Sequence, residues 1–318
     1  MTPVGVRGAQ LAGLGAHRPA LRVDNLAIAE RLQSSDAWIR ERTGIVTRGV
    51  AAADETVADM AVSAGGKALA AAGVAPSQVG LVMLATCTVT HPMPGTAATV
   101  AAQLGLDNAG ALDLGAACAG FTYGISLAAD TVRGGNADHV LVVGAEKFSD
   151  ILDPDDRGTA FLFGDGAGAG VVSVAEVNGI FPTVWTNDGG QARILRTEGN
   201  PPLLRMEGQA VYRWATTTLP ALARSACARA GLELSDLAAL VPHQANLRIT
   251  ESLVRALKLP SSVAVARDVV DSGNTSAASI PLALSILLES GEVRRGDPVL
   301  LLGFGAGLTA AGQVVRCP

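Results

Sequence analysis

A thiol, an imidazole and a carboxamide are the side chains in this sequence whose types could do chemistry together: Cys118, His243 and Asn274. Cys118 sits in Leu112-Asp113-Leu114-Gly115-Ala116-Ala117-Cys118-Ala119-Gly120-Phe121-Thr122-Tyr123. That is a short apolar, strand-like segment, a run of small residues, then a helical pattern that runs to about Arg133. A cysteine at the start of a helix faces unpaired backbone N–H groups and the positive end of the dipole, both of which favour thiolate over thiol. The position suits equally a buried cysteine packed as a small hydrophobe, and the segment by itself leaves both readings open. His243 follows a buried strand over Ala238 to Val241, in the turn Pro242-His243-Gln244-Ala245-Asn246. Asn274 lies in Asp271-Ser272-Gly273-Asn274-Thr275-Ser276, ahead of a second apolar helix. Singly, His243 could be a satisfied structural histidine and Asn274 a helix cap. Beside Cys118 they make a nucleophile with two polar partners.

Other candidates are few. Cys87, Cys227 and Cys317 stand far apart, with no C-x-x-C pair and no histidine at metal-ligand spacing, which argues against both disulfides and a zinc site. His17, His91 and His139 fall in loop-like or surface contexts. Hydrophobic residues make up 49% of the 318 and charged residues 17%, the balance of a well-buried globular protein. Aromatics contribute 3% against 37 glycines, so the core must be built from closely packed Ala, Val and Leu. A net charge of −5 argues against a nucleic-acid partner, which usually meets a basic face. No basic-then-apolar leader opens the sequence, and the uncharged stretch Leu114 to Ala129 is interrupted by glycine and shorter than the ~18 residues of a membrane span. A soluble, cytoplasmic protein without a membrane or nucleic-acid partner is expected.

The elements that must position the three groups can be read from period and stop signals. Val6 to Leu14 patterns weakly as a strand, and Ser35 caps a short helix that stops at Gly44. Thr56 to Ala72 is helical and closed by Gly73; Val79 to Ala85 is a buried strand. The chain then partly repeats itself. Ala72-Gly73-Val74-Ala75-Pro76-Ser77-Gln78-Val79-Gly80-Leu81-Val82 matches Ala230-Gly231-Leu232-Glu233-Leu234-Ser235-Asp236-Leu237-Ala238-Ala239-Leu240 without a gap. Counting on from the two glycines, Cys118 and Asn274 fall at similar places. Each precedes an apolar helix (Ala119 to Val132; Ser276 to Leu288), a Gly-containing turn and an apolar strand (Val140 to Gly144; Val299 to Gly303). Continuous apolar strands alternating with helices imply parallel pairing under helical layers. Two such halves predict a duplicated α/β architecture in five layers, αβαβα. The N-terminal half, 1–172, carries the nucleophile; the C-terminal half, 173–318, carries His243 and Asn274. Ligand sites in such sheets lie beyond the C-terminal ends of strands, where all three groups fall.

Ala116-Ala117-Cys118-Ala119-Gly120-Phe121, Val241-Pro242-His243-Gln244-Ala245-Asn246-Leu247-Arg248 and Gly273-Asn274-Thr275-Ser276-Ala277-Ala278-Ser279 resemble the three signatures of the β-ketoacyl-acyl-carrier-protein synthase III family. Phe163-Gly164-Asp165-Gly166-Ala167-Gly168-Ala169 and Gly303-Phe304-Gly305-Ala306-Gly307 are similar to it as well, and the likeness runs in order from about Val6 to Val315. The resemblance implies a thiolase-like fold, in keeping with the repeat. It implies decarboxylative Claisen condensation of an acyl-CoA primer with malonyl-acyl-carrier protein, starting fatty-acid or polyketide chains. Those substrates are the only small-molecule requirement implied: no cofactor, no metal, and a homodimer.

Carried over by position, Cys118 takes the acyl group as a thioester, and His243 and Asn274 donate hydrogen bonds to the malonyl thioester oxygen. The backbone N–H groups of Cys118 and Ala306 would form the oxyanion hole, and Phe304 would hold the geometry. The resemblance puts Trp38 and Arg157 around the CoA adenine and Arg42 near its phosphates. Phe163, Gly208, Tyr212, Ala245 and Asn246 would line the pantetheine passage. Arg213, Arg248 and Arg255, with Lys258, form a basic cluster suited to docking an acidic carrier protein. Met93 falls in a loop that would cross the dimer interface and close the partner's acyl pocket; the acyl chain is left open. An alternative is a divergent member that moves an acyl group onto an alcohol or amine, although such relatives tend to alter the Asn274 position. A degradative thiolase would need a second cysteine in Gly303–Gly307, and elongating condensing enzymes use two histidines. A non-catalytic partner subunit would have lost Cys118.

Overall fold

The computed structural model describes residues 7–318 apart from Thr90 and Pro92. Val6, expected to open the first strand, lies outside them. The chain begins with β1 (Gly8–His17), then β2 (Leu21–Asp24), α1 (Leu26–Ala29), α2 (Asp36–Thr43) and β3 (Thr47–Val50). It continues through α3 (Val57–Ala72), β4 (Val79–Ala85), α4 (Thr96–Gln103), β5 (Gly110–Leu114), α5 (Gly120–Arg133), β6 (His139–Glu146) and β7 (Gly166–Ala175). The second half holds β8 (Val184–Asn187), β9 (Leu195–Glu198), β10 (Leu203–Met206), α6 (Gly208–Arg229), β11 (Ala239–Pro242) and α7 (Leu247–Leu257). After it come β12 (Ala264–Val265), α8 (Val269–Ser272), α9 (Ser279–Glu289), β13 (Pro298–Gly305) and β14 (Thr309–Arg316).

Local signals set several of these boundaries. The Ser35 side chain accepts from Trp38 N–H and starts α2. Thr56 and Asp59 form a reciprocal capping box at the start of α3, and Gly73 ends it in the left-handed region at φ 65°. The strand Val79–Ala85 has the expected bounds.

Two five-stranded sheets have the orders β1-β7-β6-β4-β5 and β8-β14-β13-β11-β12, so the halves repeat strand for strand. Parallel pairing holds only for three adjacent strands at one side of each sheet: β5, β4 and β6, and β12, β11 and β13. β7 and β14 run antiparallel to both neighbours, so each sheet is mixed rather than parallel throughout. Helices α5 and α9 lie between the sheets, burying Phe121, Ile125, Ile280 and Leu284 among strand residues of both halves. Helices α3 and α4 cover the outer face of the first sheet, and α6 and α7 that of the second. The result is the expected thiolase-like five-layer αβαβα stack.

Three details differ from the sequence reading. β7 runs through Ala175, so the division at 172/173 falls inside a strand. The segment ahead of Cys118 is a strand, but as the edge strand β5 it is exposed along most of its length in this chain rather than buried. Finally, the counterpart of Cys118 is Ala277, not Asn274. Tight 3-10 turns at Ala117–Ala119 and Ser276–Ala278 precede α5 and α9, and their first residues share a left-handed backbone, φ 43° at Ala117 and 48° at Ser276. Loops of unequal length separate these turns from the repeated glycines, so an ungapped count drifts. No helix among the described residues is long and apolar enough to cross a membrane.

Candidate active site

Cys118 leaves β5 through a strained turn. Ala117 holds a positive φ that a non-glycine residue adopts at a cost of order 1–3 kcal/mol. The turn turns the thiol inward, and Cys118 is buried. Across from it runs the end of β13, where a Cβ on Gly305 would fall 2.8 Å from Cys118 Cβ and 3.1 Å from its Sγ. Only glycine permits that approach. The helix proper begins at Gly120, two residues further on. Burial therefore dominates: it pushes the Cys118 thiol up to about 12, against a hydrogen bond from Ser276 that favours the thiolate. The expectation of a thiolate set by the helix start is corrected: the resting group is a thiol.

His243 follows β11, and its ring is fixed on both sides. Nδ1 lies 2.7 Å from Ser279 Oγ, and the Phe304 ring packs edge-on with centroids 5.0 Å apart. Ser279 Oγ also accepts Gln244 N–H at 3.3 Å. That arrangement favours the hydroxyl donating to Nδ1 and leaves the ring proton on Nε2. Burial pulls the His243 pKa down to about 3, partly opposed by the Ser276 backbone, so the ring is neutral at ordinary pH. Gln244 braces the turn from beneath: its amide donates to the Pro242 carbonyl at 2.7 Å and accepts Val269 N–H at 3.1 Å.

Asn274 precedes the 3-10 turn of Ser276–Ala278. Its Oδ1 accepts Ser276 N–H at 2.9 Å, so it is a local cap, and that bond fixes which end of the amide is the donor. Its backbone also pairs with the neighbourhood of Phe163, Asn274 N donating to Leu162 O at 2.9 Å and Gly164 N to Asn274 O at 3.0 Å.

Cys118, His243 and Asn274 line one narrow cavity of about 60 Å³, with Phe163, Gly208, Ala245, Asn246, Phe304 and Gly305 around them. A larger surface cavity of about 690 Å³ shares Leu162, Met206, Gly208 and Asn246 with it, so the two adjoin. Trp38, Arg42, Arg157, Tyr212, Arg213 and Arg248 line this mouth. Arg42 lies 4.3 Å and Arg157 5.7 Å from the Trp38 ring centroid, so both guanidinium groups flank the indole. Beyond Cys118 a third cavity of about 170 Å³ is lined by Cys87, Phe148, Ile151, Phe163, Leu195, Leu204 and Ala306, with Arg196 and Thr197.

Two expected site residues stand apart. Arg255 is exposed near the C-terminal end of α7, two turns beyond Arg248, and does not line the mouth. Met93 is 83% exposed and lines neither the cavity around Cys118 nor the one beyond it. Sequence reasoning passed over Ser276, Ser279 and Gln244, although all three lay inside the motifs. It also missed Glu146 and the wall of the third cavity; a lone acidic residue closing the apolar run Val140 to Ala145 was the available signal.

Comparison with known proteins bears on the whole chain. Residues 112–189 match the family described as 3-oxoacyl-[acyl-carrier-protein] synthase III, and residues 227–317 match its C-terminal part. The beta-ketoacyl-[acyl-carrier-protein] synthase III 4 of Streptomyces coelicolor is 52% identical over 315 residues, 98% of this chain and 99% of that one. Among solved structures, the priming β-ketosynthase of the R1128 polyketide biosynthetic pathway superposes with a TM-score of 0.96 at 44% identity, covering 100% of this chain and 98% of the other. The 3-oxoacyl-[acyl-carrier-protein] synthase III of Aquifex aeolicus gives 0.93 at 37%, covering 98% and 100%. With the same fold end to end and a thiol, imidazole and carboxamide gathered on one cavity, the chain belongs to the β-ketoacyl-[acyl-carrier-protein] synthase III family of condensing enzymes.

Proposed function

We propose that this enzyme starts fatty-acid or polyketide chains by carrying an acyl primer from CoA on Cys118 and condensing it with malonyl-acyl-carrier protein. The supporting observation is the narrow cavity that Cys118 shares with His243 and Asn274, reached from a mouth set with guanidinium groups. In the first half-reaction the Cys118 sulfur attacks the acyl thioester carbonyl, a C–S bond forms, and the bond to CoA sulfur breaks. Backbone N–H groups of Cys118 and Ala306 receive the oxyanion. In the second, the malonyl carboxylate leaves as carbon dioxide while Nε2–H of His243 and the amide of Asn274 donate to the thioester oxygen. The enolate carbon then attacks the acyl-Cys118 carbonyl, and the C–S bond breaks to release 3-oxoacyl-carrier protein. A neutral imidazole suits this step, which asks for a hydrogen-bond donor and no proton transfer.

The reaction draws only on its two thioester substrates, with neither cofactor nor metal. Trp38, Arg42 and Arg157 offer a flat ring and planar cations to a purine and its phosphates. Exposed Arg213, Arg248 and Arg255 suit an acidic carrier protein. The open edge of β5, next to the loop bearing exposed Met93, suits a second copy of the chain in a homodimer that works in the cytoplasm.

Asn274→Ala separates the half-reactions. Acyl-CoA should still add its acyl mass to Cys118, while condensation falls roughly 100- to 1000-fold. Loss of both steps together would overturn the role given to Asn274.

A further inference from the structure

Glu146, the last residue of β6, is a fully buried carboxylate that the mechanism above does not use. Its Oε2 accepts the Cys87 N–H at 3.0 Å and the hydroxyls of Thr86 and Thr88 at 3.1 and 2.9 Å, all on the segment that follows β4. Its Oε1 accepts the Cys87 thiol at 3.3 Å and, from the opposite half of the molecule, the Ser276 hydroxyl at 2.9 Å. Five donors converge on the two oxygens, a shell that suits the ionised carboxylate, and hydrogen bonds to a charged acceptor are the strong ones. The Ser276 turn is also pressed onto the same strand: a Cβ at Gly144 would fall 2.3 Å from the Ala277 carbonyl oxygen. Ser276 itself holds a left-handed backbone at φ 48°, which a non-glycine residue keeps only where its surroundings enforce it.

What this anchor governs follows from the next bond along. Ser276 N–H donates to Asn274 Oδ1 at 2.9 Å. The Asn274 backbone is already held by Leu162 and Gly164, so the freedom left to the residue is rotation of its side chain, and the Ser276 N–H removes it. Two hydrogen bonds thus run from Glu146 through Ser276 to an amide that lines the cavity around Cys118. We propose that Glu146 is a positioning residue for the condensation half-reaction: it fixes the Ser276 turn from across the junction of the two halves, and so aims the Asn274 amide donor at the thioester oxygen. Glu146→Gln is the informative change. The Cys87 N–H can only donate, so it would hold the carboxamide oxygen at the Oε2 place. The new NH2 then faces Ser276, whose hydroxyl loses its acceptor. The turn is free to relax from its left-handed backbone, and the Asn274 amide with it.

Because the proposal rests on the donor role given to Asn274, the test must read that role and let the two fail separately. Carbon dioxide release from malonyl-carrier protein in Cys118→Ala does so, since forming the enolate needs the donors and not the thiol. Adding Asn274→Ala should lower this release about 100-fold. No loss there would overturn the role of Asn274 itself, a failure distinct from that of Glu146. Adding Glu146→Gln instead should lower kcat about tenfold, with KM for malonyl-carrier protein unchanged. Adding both should be no worse than Asn274→Ala alone, since a residue that acts through Asn274 then has nothing left to position. Ser276→Gly tolerates the left-handed backbone without the hydroxyl, so it should copy Glu146→Gln in each background. It decides the question if Glu146→Gln does not fold. An unchanged kcat in these variants, or losses that multiply with that of Asn274→Ala, overturns the proposal.

Discussion

A neutral imidazole at His243 is the consequence of burial, and it defines what that residue can contribute. With a pKa near 3 it holds no charge at working pH, so its role is that of a hydrogen-bond donor. The tautomer follows from Ser279, whose hydroxyl sits 2.7 Å from Nδ1. Ser279→Ala should release the ring, lower the condensation rate about tenfold through a mispositioned donor, and leave acylation of Cys118 intact. Nitrogen-15 spectra of the imidazole should show Nε2–H in the protein and a mixture in the variant; equal spectra would contradict the assignment. The depressed pKa also carries a stability signature. The unfolded chain binds a proton at His243 where the folded chain does not, so the stabilisation is complete above the ordinary histidine range and is lost as pH falls toward 3. The stability margin over His243→Ala should shrink between pH 7 and pH 4 in urea titrations, and stay level from pH 7 to 8. At this scale the residue types were legible, because a nucleophile and two donors are rare among four cysteines and four histidines. Protonation was not legible: the helix-start argument for a Cys118 thiolate needs exposure, and the fold denies it.

Helix α7 shows how an element turns sequence into a surface. Its start is fixed by Asn246, whose Oδ1 accepts Ile249 N–H at 3.0 Å while the residue also lines both the mouth and the inner cavity. Ile249, Leu253 and Leu257 are buried at helical spacing, which leaves Arg248 and Arg255 outward. The double change Arg248→Glu, Arg255→Glu should raise KM for malonyl-carrier protein about tenfold and steepen its recovery with salt, leaving acylation from CoA nearly unchanged. Equal losses in both half-reactions would assign the arginines elsewhere. Helix α3 provides a contrast, since its capping-box residues Thr56 and Asp59 line none of the three cavities described above. Thr56→Ala should cost about 1 kcal/mol of stability and leave turnover unaltered, as read by thermal melts and a condensation assay. Caps and glycine stops were legible because they act within a few residues. The beginning of α5, the antiparallel outer strands and the wall behind Cys118 were not, because tertiary contacts decide them.

Across the whole molecule, duplication explains why the site lies where the halves meet. Each half opens its central helix from a 3-10 turn whose first residue has a left-handed backbone; one bears Cys118 and the other, Ser276–Ala278, lies against it. The repeat was visible in the glycine-to-strand match around Gly73 and Gly231, but the equivalence of Cys118 with Ala277 needed the turns themselves. One edge of the first sheet is open in the chain. β5 ends its sheet, Leu112 on it is 39% exposed, and Met93 projects nearby. Leu112→Lys tests the proposed homodimer: sedimentation should move toward the monomer and condensation should fall, while a monomeric but fully active variant would show that Met93 serves no partner site. The most direct test of the central claim is the peptide mass of the protein after incubation with a panel of straight and branched acyl-CoAs. The acyl mass should appear on the Cys118 peptide and vanish in Cys118→Ala. Acylation of Cys87 or any other residue, or a label that persists in Cys118→Ala, would contradict it.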